Sequence, residues 1–117
     1  SRRLVIAENE AYGTQKKHGI IVSREVNDSW IVNNRAHHNA GSGIMLDRTS
    51  VRNLVAGNFS YLNASDGITL FESQNNEIRD NVTVFNGKHG LRLRNSWDVI
   101  AARNTIAFNK EIGVQVY

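Results

Sequence analysis

A glycine followed by alternating aliphatic residues recurs five times along this chain, and a fixed period of that length decides the whole fold. The segments are His18-Gly19-Ile20-Ile21-Val22, Ser42-Gly43-Ile44-Met45-Leu46, Asp66-Gly67-Ile68-Thr69-Leu70, His89-Gly90-Leu91-Arg92-Leu93 and Ile112-Gly113-Val114-Gln115-Val116, with the glycines 24, 24, 23 and 23 residues apart. Three further columns keep the same phase. Asn34, Asn58, Asn81 and Asn104 form one, with Asn9 in a slightly longer first repeat; Asn39, Asn63, Asn86 and Asn109 form another, with Thr14 in the first repeat. Ile6, Ile31, Val55, Ile78 and Ala101 stand three residues before the first asparagine column.

Aliphatics at every second position are the signature of a strand with one buried face, and no stretch has helical periodicity. Equivalent strands so far apart in sequence cannot form hairpins, so they pair in parallel, and parallel crossovers are right-handed in nearly all cases. The expected fold is therefore all-β: a right-handed parallel β-helix, a solenoid of about five coils with a 23–24-residue repeat. Asparagine suits the corners, because its amide both donates and accepts and can continue the ladder from coil to coil. It also tolerates the left-handed backbone that a sharp corner requires, so the asparagines are expected to occupy those positions themselves.

Composition agrees with a ladder-built protein. Of 117 residues, 40% are hydrophobic and 21% charged, which excludes a disordered or collagen-like chain, and there is no proline to remove a backbone donor. The lack of cysteine excludes disulfides, thiolate nucleophiles and cysteine zinc sites. No apolar run is long enough to cross a bilayer, so no membrane association is expected. A net charge of +3 favours anionic partners without approaching the density of a nucleic-acid-binding surface, and no nucleic acid is expected.

After each repeat glycine, residues at plus one and plus three point inward and those at plus two and plus four point out on one continuous face. Coil by coil that face reads Ile21 and Ser23, Met45 and Asp47, Thr69 and Phe71, Arg92 and Arg94, Gln115 and Tyr117, with Arg24, Arg48, Glu72 and Asn95 at the strand ends. Arginine forks suit carboxylates and aromatics suit sugar faces, so the strip fits an extended anionic polysaccharide. A solvated sheet with ordinary charges gives the same pattern. There is no G-x-S-x-G, H-E-x-x-H or P-loop motif, and no metal site is expected. His37-His38 is placed in a bend, making local hydrogen bonds rather than binding metal. Trp30 and Trp97 are placed at bends as packing residues, and His18 and His89 lie at the mouth of the strip, where either could fill a turn or touch ligand.

The stretch Lys17-His18-Gly19-Ile20-Ile21-Val22-Ser23-Arg24-Glu25-Val26-Asn27-Asp28-Ser29 closely resembles the periplasmic mannuronan C5-epimerase family of alginate-producing bacteria. So do Ser42 to Arg48, Ser65 to Ser73 and Lys88 to Ser96, in order and spacing. The resemblance implies a right-handed β-helix, a periplasmic location, and epimerisation of mannuronate to guluronate in alginate with no metal or organic cofactor. The C5 hydrogen lies α to a carboxylate and is hardly acidic until that charge is neutralised. Arg24 matches the arginine proposed in the family for this neutralisation, the catalytic assignment here. The family's base is a histidine in an Asp-Pro-His-Asp-Arg motif that would immediately precede Ser1 and is not among these 117 residues. Asp47, Arg48, Glu72, His89, Arg92 and Arg94 are the candidate substrate-binding residues, with poly-mannuronate as the partner.

Two rival readings stay open: a non-catalytic carbohydrate-binding or scaffold β-helix, and a lyase, since loss of the same C5 proton followed by expulsion of the glycosidic oxygen is β-elimination. Ser1 falls partway round a coil and Tyr117 on a strand, whereas a solenoid needs polar caps. Residues 1–117 are therefore expected to be one β-helix segment of a longer solenoid, binding polymer without turning it over when isolated. The uncapped coils of such a segment should associate end to end, which sedimentation at increasing concentration would reveal and a strict monomer would contradict.

Overall fold

The computed structural model describes residues 3–117. Each coil contributes three short strands. They are β1 (Val5–Ala7), β2 (Glu10–Tyr12) and β3 (Ile20–Ser23), then β4 (Trp30–Val32), β5 (Arg35–His37) and β6 (Ile44–Asp47). The third coil holds β7 (Leu54–Ala56), β8 (Phe59–Tyr61) and β9 (Ile68–Phe71), and the fourth β10 (Glu77–Arg79), β11 (Val82–Val84) and β12 (Leu91–Arg94). The last holds β13 (Ile100–Ala102), β14 (Thr105–Ala107) and β15 (Val114–Val116). Like stacks on like in three five-stranded sheets, β1-β4-β7-β10-β13, β2-β5-β8-β11-β14 and β3-β6-β9-β12-β15. Every pairing is parallel, forming the right-handed solenoid that the period predicts. Among the described residues no helix is long and apolar enough to cross a membrane.

The register is that of the repeat columns. Ile20, Ile44, Ile68, Leu91 and Val114 are direct partners down the third sheet, and Ile6, Ile31, Val55, Ile78 and Ala101 down the first. Ile31, Ile44, Leu46, Val55, Ile68, Leu70 and Ile78 are fully buried and fill the lumen, each contributing about 1.5–3 kcal/mol of apolar burial.

The corners are made differently from the sequence expectation. In each turn leading to the second sheet the left-handed residue is the one before the asparagine: Glu8, Asn33, Gly57, Asp80 and Arg103, at φ between 52° and 67°. The same holds after that sheet, where Gly13, His38, Leu62, Phe85 and Phe108 take φ of 54–75°. The asparagine columns thus serve through their side chains. Asn58 Oδ1 accepts from the Asn34 backbone N–H (2.9 Å) and from Asn34 Nδ2 (3.1 Å), while Asn58 Nδ2 donates to Asn81 Oδ1 (3.0 Å) and to the Ile31 carbonyl (2.9 Å). Both halves of the amide are saturated in a position 1% exposed. Two more ladders escaped the sequence reading: Ser29, Asn53 and Asn76, each N–H donating to the next coil's amide at 2.9 Å, and the hydroxyl row Ser50, Ser73, Ser96.

The repeat glycines answer to these ladders. A Cβ on Gly43 would lie 1.9 Å from Ser60 Oγ and 2.7 Å from Asn63 Nδ2, so the strand entry passes directly beneath the amide column. Replacing Asn58 by Leu strands the Asn34 donors and the Asn81 and Ile31 acceptors in the interior, and should cost about 3 kcal/mol or more in urea unfolding. The same change at Asn104, nearer the open coil, should cost measurably less.

Candidate functional site

The third sheet carries the outward face. Inward Ile44, Leu46, Ile68, Leu70, Leu91 and Leu93 are buried, and between them the side chains of Ile21, Met45, Thr69 and Arg92 form one outward row, with Ser23, Asp47, Phe71 and Arg94 forming a second. The chain then turns through left-handed residues: Arg24 at φ 65°, Arg48 at 54°, Glu72 at 51° and Asn95 at 49°. These four therefore stack as an exposed row along the rim. Coil stacking spaces neighbours by about 4.8 Å, so the face presents groups at a regular repeat along the solenoid axis.

Pairing of the charges differs between this face and the opposite corner. Arg52 pairs with Asp28 at 2.7 Å, Arg103 with Asp80 at 3.0 Å, and Arg79 with both Asp80 (3.1 Å) and Glu77 (3.4 Å). Among the described residues, Arg24, Arg48 and Arg94 make no such ion pair. Arg94 instead stacks its guanidinium on the rings of Phe71 (5.0 Å) and Tyr117 (5.7 Å). Asp47 Oδ1 is buried without a donor, and Glu72 is exposed on the rim, so acceptors for sugar hydroxyls alternate with donors for carboxylates.

Arg92 has a different environment. Its Nη2 donates to the Tyr117 hydroxyl, and its Nη1 lies 3.7 Å from Oδ2 of Asp66, a carboxylate 1% exposed. Tyr117 and Asp66 together hold the Arg92 guanidinium above its ordinary pKa, Tyr117 contributing more. Thr69 is only 6% exposed, although its strand position points outward. Its hydroxyl donates to Asp66 Oδ2 (2.8 Å), so Ser42 Oγ, 2.9 Å away, must donate to Thr69. Met45, Thr69, Phe71, Arg92 and Arg94 line a recess of about 180 Å³. A wider concavity of about 680 Å³ runs along the corner after the second sheet, lined by groups including Leu62, Phe85, Phe108 and Lys110. It contains no carboxylate, and it lies away from the arginine rows.

The candidate residues thus divide. Arg24, Asp47, Arg48, Glu72, Arg92 and Arg94 share one face. His89 is 6% exposed; its Nδ1 accepts the Ile112 N–H at 3.2 Å and its own N–H donates to Asp66 at 3.1 Å, a position inside the coil ladder. His18 does the equivalent one sheet edge earlier, accepting the Ser42 N–H on Nδ1 at 2.9 Å. His37 is not in a bend: it ends β5, stacked between Tyr12 and Tyr61, with Nε2 2.7 Å from Glu10 and Nδ1 2.6 Å from His38. Trp30 opens β4, and it and Trp97 are 56% and 58% exposed rather than packed. Asp66 and Thr69 as groove groups were missed; an acid immediately before the repeat glycine, where other coils have His, Ser or Ile, was the available signal.

Residues 1–117 match the family described as Right handed beta helix region. The chain belongs to that family. Within it, the chain is 55% identical over 114 residues to a mannuronan C5-epimerase of Pseudomonas putida and 59% identical over 114 residues to the mannuronan C5-epimerase AlgG of Azotobacter vinelandii, covering 97% of this chain and 22% of each relative. The chain therefore spans about a fifth of the length of these curated relatives. Its fold superimposes on the crystal structure of the periplasmic alginate epimerase AlgG with a TM-score of 0.96 at 50% identity, over 97% of this chain and 27% of that one. This right-handed β-helix keeps the arginine-rimmed face over the whole matched length.

Burial lowers the His18 pKa, with a smaller contribution from Lys17, against the opposing fields of Asp47 and Asp66. The neutral ring accepts the Ser42 N–H, and the unfolded chain binds a proton there more readily than the fold does. Stability should therefore be full above the unfolded value near 6.5 and fall as pH drops through and below it. His18→Asn, whose amide oxygen can accept the same N–H, should flatten the loss between pH 7.5 and 5.5 in urea melts; an unchanged slope would deny His18 that role.

Proposed function

We propose that this chain is the groove-bearing part of a mannuronan C5-epimerase that converts mannuronate to guluronate within alginate, in the periplasm. What supports the reading is the row of unpaired arginines on a continuous parallel face, together with the identity to proteins of that name. The polymer lies along the solenoid axis across the outward rows of the third sheet. Arg24 meets the carboxylate of the reacting sugar with a two-point fork, and the carboxylate's charge is partly neutralised while C5 is deprotonated. No other arginine combines a rim position in the same coil with freedom from protein carboxylates among the described residues. Arg48 and Arg94 receive flanking carboxylates, while Asp47 and Glu72 accept sugar hydroxyls. In this reading the base is a group outside residues 1–117, on the coil stacked against Arg24, and reprotonation from the opposite sugar face completes the inversion.

The charge to be stabilised is largest when the proton has left, so the Arg24 contact strengthens on the way to the transition state. Arg24→Ala in the full-length protein should lower turnover about 10²- to 10³-fold, with binding of mannuronate polymer reduced far less. Proton NMR of mannuronate-rich alginate reads this directly through the growth of guluronate signals. Undiminished conversion by the variant would remove the role assigned to Arg24, and an absorbing unsaturated product would replace epimerisation with β-elimination.

A further inference from the structure

We infer that Arg92 and Arg94, set in place by the buried carboxylate of Asp66 and by the rings of Phe71 and Tyr117, form a second uronate-binding subsite, three coils along the groove from Arg24. The inference rests on reading the groove as a track for an anionic polysaccharide, and Asp66 acts in it as a positioning residue.

Long cationic side chains on a sheet surface ordinarily extend into water. The Arg92 side chain is only 25% exposed, and its Nε–H is buried with no acceptor. Two anchors account for the posture. The Tyr117 hydroxyl accepts from Nη2, and Asp66 attracts Nη1 from 3.7 Å, beyond hydrogen-bond range. Asp66 can serve as an anchor because it cannot move: Oδ1 accepts the His89 N–H at 3.1 Å and Oδ2 the Thr69 hydroxyl at 2.8 Å, with Ser42 behind Thr69. Among the described residues, Arg92 is the one cation at ion-pair distance from this carboxylate.

Arg94, two residues on, points to the same side and spreads over Phe71 and Tyr117 with no carboxylate of its own. Two guanidinium groups on one strand therefore face one protein anion, leaving an excess positive charge over a recess of about 180 Å³. Its other walls, Met45 and Phe71, offer apolar surface for the C–H face of a pyranose. A planar carboxylate on such a ring supplies what the recess lacks, acceptors for the guanidinium donors that no protein group takes. Arg24 and Arg92 lie three coils apart, about 14 Å along the axis, so one extended polymer chain engages both, about three sugars apart.

The test uses full-length protein carrying Arg92→Gln or Asp66→Asn, steady-state kinetics on mannuronate oligomers of increasing length, and calorimetric binding to poly-mannuronate and to neutral β-1,4-mannan. An asparagine at 66 can still accept the His89 N–H, so Asp66→Asn should melt near the wild-type temperature; Arg92→Gln reports independently should it not. Both variants should raise KM for long substrate about tenfold, the loss of one charge-assisted contact, with kcat held within about twofold. The penalty should fade as oligomers become too short to reach from Arg24. A penalty independent of length, or one falling on kcat, would overturn the subsite, as would wild-type protein binding mannan as tightly as poly-mannuronate. A protein that makes no guluronate, yet loses poly-mannuronate affinity on Arg92→Gln, would defeat the proposed reaction and support the subsite.

Discussion

An amide that donates and accepts at once, repeated at the same corner of every coil, is the interaction on which this molecule depends. Sheets satisfy their own backbone along the strands, but a solenoid must also turn, and at each turn the chain would leave buried N–H and C=O groups without partners. Asn34, Asn58, Asn81 and Asn104 close that gap on one corner and Asn39, Asn63, Asn86 and Asn109 on the next, each taking an N–H from the preceding coil and giving to a carbonyl there. Serine and asparagine rows do the same at the third corner. The close approach that the ladder enforces explains the repeat glycine, and the period, the register and the exterior rows follow.

A surface assembled this way can bind a regular polymer with little local design. Stacking places equivalent side chains at a constant interval, so a linear ligand with a comparable repeat meets the same kind of group again and again. Selectivity then depends on which groups the coils carry. Here the opposite corner ties Arg52 and Arg103 to aspartates, whereas the rim of the third sheet leaves Arg24, Arg48 and Arg94 unneutralised by protein carboxylates. The electrostatic asymmetry is local, and the modest overall charge of +3 does not foreshadow it.

The parts of the site that could be read in advance are those governed by alternation. Ser23, Asp47, Phe71 and Arg94 share a row because successive strand residues point to opposite faces, and Arg24, Arg48 and Glu72 share another because each ends a strand in the same register. Alternation does not determine what a neighbouring coil does to a side chain. Thr69 lies on the outward side and is nonetheless covered, since its hydroxyl is drawn to Asp66 and Ser42. His89 precedes its glycine as His18 does, yet is more deeply enclosed. His37 looked like a bend residue because the asparagine of that corner follows so closely, and the left-handed position one residue before each asparagine was invisible because side chains as unlike as Glu8, Phe85 and Phe108 occupy it.

From the sequence alone come the parallel solenoid, its phase, the inward aliphatics and the membership of each exterior row, because all of these depend on a residue's place in the repeat and on nothing else. The tertiary structure alone decided which of the exposed charges are already paired, that Asp66 is a buried anion, and that Arg92 leans toward it while Arg94 lies across two rings. Those outcomes depend on side chains from coils 23 to 27 residues away meeting within a few ångströms, and on the balance between solvation and local charge, which a repeat pattern does not contain.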